Sequence, residues 1–230
     1  MLPVWKLIGF VLYVILYYSA LDVYTQWPEE SLKSFFFKVM PIVHLVFIVI
    51  STSLDDDVKP KSSWYRWNIA LALIASGIGD CSTFLGHYPP IIMFLIAHLF
   101  CICAFGIRPV GSVPMAVSFA VAAVAYYFFL VDIMPMSLIK VSGIVYLVVL
   151  FTRAWRSMVV LLIERSVDSF LAWLGSSLFI VSDVLFIVDM FHGSFDRAPF
   201  WIMLTYYLAQ LGLALSACNT YSQSLLKKND

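Results

Sequence analysis

The sequence predicts an all-α fold: a polytopic membrane protein, built as a bundle of eight transmembrane helices forming one domain over residues 1–230. Three observations carry this expectation. Hydrophobic residues make up 62% of the chain and charged residues 12%, against about 25% charged in an average soluble domain. The mean hydropathy is +0.93. The apolar residues also fall into runs long enough to cross a bilayer core, which takes about 20 residues of helix.

These runs lie near residues 4–21, 36–54, 67–86, 88–107, 111–130, 137–157, 170–191 and 199–220. The first follows Lys6 as the core of a signal peptide would, but no small-residue cleavage site follows Ala20, so it is read as a span. Between the third and fourth runs stands only His87-Tyr-Pro-Pro90, which demands an antiparallel helical hairpin. Polar and proline-bearing stretches separate the others: Trp27 to Glu30, Asp55 to Lys61, Arg108 to Gly111, Asp132 to Pro135, Glu164 to Ser169 and His192 to Pro199. The sixth run has an alternative end. If that helix continues through Met158 to Ile163, Arg156 lies within the membrane and not at its edge.

The chain has 14 basic and 14 acidic residues. Nothing resembles the basic stripe that phosphate neutralisation requires, so no nucleic-acid partner is expected. Cys81, Cys101, Cys103 and Cys218 sit in apolar runs and read as small packing residues. The four histidines show no helical pairing and no cysteine spacing suits a metal, so neither metal nor cofactor is expected, and His44, His87 and His192 read as structural. Asp55-Asp-Asp57 lacks the spaced ligands of a calcium loop, and Asp132 and Asp189 fall close enough to span ends to be solvated.

With eight spans, most basic residues, among them Lys6, Arg66, Arg108, Arg153, Arg156 and Arg165, share the side of both termini. Lys33, Lys38, Lys140 and Arg197 fall on the other. The positive-inside rule therefore places both termini in the cytoplasm. Tryptophans near the span ends, such as Trp5, Trp64, Trp67 and Trp201, agree with that register. The terminal Lys227-Lys228-Asn229-Asp230 reads as a dilysine retrieval address, which implies the endoplasmic reticulum membrane.

Polar groups inside apolar spans point to the site, because an ionisable side chain at bilayer depth costs at least about 2.5 kcal/mol and marks function by default. The third run carries Ser76, Asp80, Thr83 and His87 at spacings of 4, 3 and 4, one face of a helix. The fourth carries His98. The seventh carries Asp183, and the eighth carries Tyr206, Tyr207 and Gln210, a shared face again. Asp80 precedes a turn with Pro90 and then His98 eight residues on; Asp183 precedes a turn with Pro199 and then Tyr207 eight residues on. Such an echo suggests a parallel internal repeat that brings the two aspartates to similar depth.

Ser76 to Asp80, His98 with Ala104-Phe-Gly106, Phe37-Lys38-Val-Met-Pro41, Trp155-Arg156, Ser182-Asp183, and Tyr206 to Gln210 through Leu215-Ser-Ala217 together resemble the lysoplasmalogenase family, the YhhN-like membrane proteins. The likeness runs from the second span to the eighth. It implies an eight-helix hydrolase that cleaves the vinyl ether bond of a lysophospholipid partner, the lysoplasmalogen, giving a fatty aldehyde and glycerophosphocholine or glycerophosphoethanolamine. It also implies Asp80 and Asp183 as the catalytic pair.

The chemistry suits these residue types. Vinyl ether hydrolysis proceeds by protonation at carbon and capture of an oxocarbenium ion by water, and paired carboxylates handle the same kind of cation in glycoside hydrolysis. His98, Tyr206, Tyr207 and Gln210 are expected to orient the carboxylates, the water or the substrate. Lys38 and Arg156 are expected to meet the phosphate or to bias the aspartates. Asp80 or Asp183 in a structural ion pair with Lys38 or Arg156 is the plainer reading. Two rivals remain: a zinc hydrolase, which the histidine count disfavours, and a transporter of a lipid or small solute with carboxylates at the midplane. Oligomeric state is not legible.

Overall fold

A computed structural model describes residues 4–29, 31–53, 63–86, 88–107, 113–131 and 137–218. All regular structure among them is helical: α1 (Val4–Leu21), α2 (Leu32–Ser53), α3 (Ser63–Cys81), α4 (Tyr88–Phe105), α5 (Val113–Val131), α6 (Ser137–Glu164), α7 (Val167–Phe191) and α8 (Ala198–Cys218), with a short 3-10 turn, Ser82–Leu85, prolonging α3. Each apolar run thus becomes one helix. Six helices, α2, α3, α4, α6, α7 and α8, are long and apolar enough to cross a membrane, and the described apolar part of α1 is the shorter Leu7–Leu21. The protein is a multi-pass integral membrane protein. The acidic turn at Asp55, the residues Arg108, His87 and Asp132, and the Lys227–Lys228 pair lie outside the described residues.

The one large boundary difference is in α6, which runs to Glu164 and not to 157. Met158-Val-Val-Leu-Leu-Ile163 is apolar enough to continue the helix once Arg153 and Arg156 are buried, and both are. Only Arg165 and Ser166 separate α6 from α7. Ser166 caps α7 by accepting the Ser169 amide, and Ser169 returns a bond to Ser166, a reciprocal cap that satisfies donors of the first turn.

The six long helices close a ring in which α2 packs on α3, α3 on α4, α4 on α6, α6 on α7, α7 on α8 and α8 on α2. Outside it, α1 packs on α2 and α5 on α6. The pattern is that of two four-helix halves, α1–α4 and α5–α8, arranged head to tail. The equivalence breaks at one place: the backbones of α3 and α8 approach closely, whereas among the described residues the matching pair, α7 and α4, meets through side chains, Phe179 against Phe94 and His98. The cavity of the ring lies between these helices, with Phe94 of α4 and Phe179 of α7 among its lining residues.

The closest helix pair is α7–α8. A Cβ on Gly175 would meet the Ala209 carbonyl oxygen at 2.7 Å, and one on Gly212 the Leu171 carbonyl oxygen at 2.9 Å, so the two backbones touch. Small residues permit such approach in membranes, where packing replaces the hydrophobic drive between helices. Further along the pair, Ser182 donates to the Ile202 carbonyl at 3.0 Å, which fixes α7 against α8 next to Asp183. Gly175→Ala and Gly212→Ala should each destabilise the detergent-solubilised protein by about 1–3 kcal/mol, because the obstacle is backbone and cannot rotate away. Gly77→Ala, whose added Cβ finds its first neighbour at 3.6 Å, should leave the melting temperature unchanged or raised; equal melting of all three variants would contradict this packing.

Candidate active site

A cavity of about 440 Å³ lies inside the ring, at the end that carries the α1–α2, α3–α4 and α7–α8 connections, and Trp27, Pro28, Gly86 and Met190 stand among its lining residues. Its walls are mostly apolar, with Phe94, Phe179, Phe186 and Ile202 prominent, and Lys38, Asp80, Tyr146, Asp183 and Tyr206 bring polar groups to it. Trp27 is anchored there, its indole N–H donating to Asp189 Oδ2 at 2.7 Å. Asp189, expected to be solvated, is therefore tied to the α1–α2 connection.

Asp80 sits in the last turn of α3 and is 3% exposed. Lys38, in the second turn of α2, places its Nζ 3.2 Å from Asp80 Oδ1. Tyr206 of α8 donates its hydroxyl to Oδ2 at 2.6 Å. Both oxygens are thus engaged by donors, one of them cationic, as a buried carboxylate requires. Lys38 is steadied from behind. Pro41 inside α2 has no N–H for the carbonyl four residues earlier, and in this loosened turn Tyr207 donates to the Lys38 carbonyl at 2.8 Å.

Asp183, in the second half of α7, is held differently. Tyr146 of α6 donates to its Oδ2 at 2.8 Å. The Tyr146 oxygen lies 3.0 Å from His98 Nε2, and His98 Nδ1 lies 2.7 Å from Arg153 Nη1. No cation touches Asp183 directly among the described residues, and its second oxygen has no hydrogen-bond partner among them. Asp80 therefore bonds across to the second half of the chain through Tyr206, and Asp183 reaches back to the first half through Tyr146 and His98.

The structure brings Asp80, Asp183, Lys38 and Tyr206 to one cavity. It holds the remaining expected residues off its wall. His98 reaches Asp183 only through Tyr146. Tyr207 serves the backbone of Lys38. Gln210 is buried one turn beyond Tyr206. Arg156, expected to meet phosphate or an aspartate, donates through Nε to the Gly106 carbonyl at 2.6 Å. Gly106 ends α4 with φ of 73°, a left-handed turn that glycine adopts without strain. The position of Arg156 one turn beyond Arg153 points it at that helix end and away from the cavity.

Sequence reasoning missed Tyr146 and Arg153. A signal was present: they are seven residues apart, hence on one helix face, and the apolar run after Arg153 carries that face into the membrane. As for metals, no group of three or more histidine, cysteine, aspartate or glutamate side chains converges among the described residues.

The YhhN family matches residues 33–217, which takes in the ring from α2 to α8 with both aspartates. The chain is 32% identical over 195 residues to lysoplasmalogenase TMEM86B of Rattus norvegicus, covering 83% of this chain and 76% of that protein. It is 28% identical over 212 residues to lysoplasmalogenase TMEM86A of Bos taurus, covering 87% and 86%. It is 30% identical over 191 residues to lysoplasmalogenase TMEM86B of Mus musculus, covering 82% and 77%. No solved structure matches the chain. With the family match running through every helix of the ring, and with its relatives alike over most of their length, the chain belongs to the YhhN family.

Proposed function

We propose that this protein hydrolyses the vinyl ether bond of lysoplasmalogens, releasing a fatty aldehyde and glycerophosphocholine or glycerophosphoethanolamine, with Asp183 as the acid and Asp80 as the carboxylate that steadies the cation. The observation that carries the assignment is the unequal occupation of the two carboxyl groups. Asp80 has a donor on each oxygen, one of them the Lys38 ammonium, so it serves as an acceptor. Asp183 has one oxygen taken by Tyr146, which leaves the other to carry and transfer a proton. Two like side chains in unlike surroundings are what acid and base roles need. The names of the relatives support the substrate class.

The steps follow from the chemistry of the bond. Asp183 gives its proton to the alkenyl carbon that does not bear oxygen, and the π electrons form the new C–H bond. The adjacent carbon becomes an oxocarbenium centre, facing the Asp80 carboxylate. Water adds to that centre and loses a proton to the carboxylate pair, which restores the acid. The hemiacetal then moves its hydroxyl proton, through the same groups, to the glycerol oxygen as that C–O bond breaks. One water is consumed and no other co-reactant is needed. The vinyl ether lies where the polar glycerol meets the hydrocarbon tail, and a cavity with apolar walls and a few polar groups suits that junction.

The site lies at the end of the bundle opposite both termini. With the termini in the cytoplasm, as the basic residues direct, the mouth faces the lumen of the endoplasmic reticulum. Asp196→Cys, in the exposed α7–α8 connection, should then resist an impermeant thiol reagent in sealed microsomes and react once they are opened; reaction in sealed vesicles reverses the orientation.

Purified protein given a lysoplasmalogen should release aldehyde, and given the matching ester lysophospholipid should release no fatty acid. Asp80→Asn and Asp183→Asn should each lower the rate of aldehyde release by roughly 10²- to 10⁴-fold, the range of a lost general acid or base, with protein level and topology unchanged. An active Asp80→Asn/Asp183→Asn double variant would end this reading, as would flux of the lipid without product.

A further inference from the structure

Arg153 is 1% exposed, in the interior of α6, and among the described residues no carboxylate lies within ion-pair reach of it. Its Nε faces Ser176 Oγ at 3.4 Å and its guanidinium lies 4.8 Å from the centre of the Phe179 ring. Neither neighbour carries the negative charge that a buried cation calls for. The remaining contact, with His98, leads to one.

The hydrogens along that route follow from what each group can donate and accept. A guanidinium only donates, so His98 Nδ1 must accept from Arg153 Nη1 at 2.7 Å. The neutral ring then carries its proton on Nε2 and donates it to the Tyr146 oxygen at 3.0 Å. Tyr146 has its own hydrogen left for Asp183 Oδ2 at 2.8 Å. Every donor in the chain points from the cation toward the carboxyl group. The ring of Phe179 closes one side, edge-on to His98 at 4.8 Å.

We infer that Arg153, acting through His98 and Tyr146, is the remote positioning cation of Asp183. This role rests on the vinyl ether reading above, in which Asp183 becomes an anion as its proton passes to carbon. Hydrogen bonds that all point at Asp183 strengthen as that charge appears, and a polarised chain in a low-dielectric interior strengthens further along its length. The guanidinium therefore favours the transition state over the resting acid, which raises turnover and not affinity. Lys38 does for Asp80 by direct contact what Arg153 does for Asp183 across two intervening side chains. The distance matters: a cation in direct contact would hold Asp183 permanently ionised and deprive the site of its acid.

A role confined to holding helices together makes different predictions, and a double-variant cycle on the full-length purified protein separates the two. Tyr146→Phe removes one oxygen and cuts the chain. It should lower kcat by roughly 10- to 100-fold with KM within about twofold, the signature of an interaction realised in the transition state. Arg153→Met should do the same, and combining it with Tyr146→Phe should cost nothing beyond Tyr146→Phe alone, because the linkage is already broken. Losses that multiply, or a Tyr146→Phe variant with unchanged kcat, overturn the inference, the latter whether or not Arg153→Met accumulates.

Infrared spectra supply a readout that needs no turnover. The carboxyl bands of Asp183, identified as those lost in Asp183→Asn, should shift in Tyr146→Phe and in Arg153→Lys, and stay in place in Tyr207→Phe. Unshifted bands in the first two overturn the inference. An inactive Asp183→Asn beside a fully active Tyr146→Phe removes the relay alone; an active Asp183→Asn removes the reaction itself.

Discussion

A carboxylate inside an apolar bundle needs donors for its oxygens and a cation for its charge, and Asp80 finds both in the groups that hold the ring together. Lys38 reaches it from α2 at 3.2 Å and Tyr206 from α8 at 2.6 Å. These contacts join α2, α3 and α8, the three helices that meet on the tight side of the ring. Removing one member of a buried pair strands the other at about 3–5 kcal/mol, so the geometry of the Asp80 carboxylate and the closure of the ring are one constraint. Tyr207 adds to it by holding the Lys38 carbonyl beside Pro41. Residues that look like additional catalytic groups thereby become the frame of a single ion pair.

The two halves of the chain are alike in helix order and unlike in how closely they pack. Tight contact of α3 with α8 buries Asp80 between donors; α7 and α4 meet through the Phe179, Phe94 and His98 rings, and Phe94 and Phe179 line the cavity. A symmetric pair of sites would leave the two aspartates equivalent until a shared proton distinguished them. Breaking the symmetry at one helix pair yields one carboxyl group saturated by a cation and a hydroxyl, and one with a single bond and a distant cation. In the proposed reaction, the difference between acid and base would then come from packing, with identical side chains.

The length of α6 links this chemistry to the membrane. Had the helix ended at 157, Arg153 would lie at the interface and be free to reach water. Continuing to Glu164 moves Arg153 deep inside, where its charge can be answered only by neighbours. The same extension sets Tyr146 and Arg153 on the inner face, seven residues apart, with Ile144, Val145 and Val148 turned outward. Apolar side chains exposed around the bundle are thus the lipid-facing surface of a ring whose polar contents are gathered inward.

The sequence by itself determined the membrane class, all the helices and their boundaries to within a few residues in most cases, because hydropathy and helical period are local properties. It also singled out Asp80 and Asp183, since a charge in an apolar run stands out whatever lies next to it. Partners were another matter. That Tyr206 and not Tyr207 bonds Asp80, that Arg156 goes to the Gly106 carbonyl while Arg153 turns inward, and that His98 needs Tyr146 to reach Asp183 depend on how helices far apart in the chain rotate against each other. A turn of one residue, about 100° on a helix, exchanges a cavity-lining side chain for a packing one, and only the packed ring selects between them.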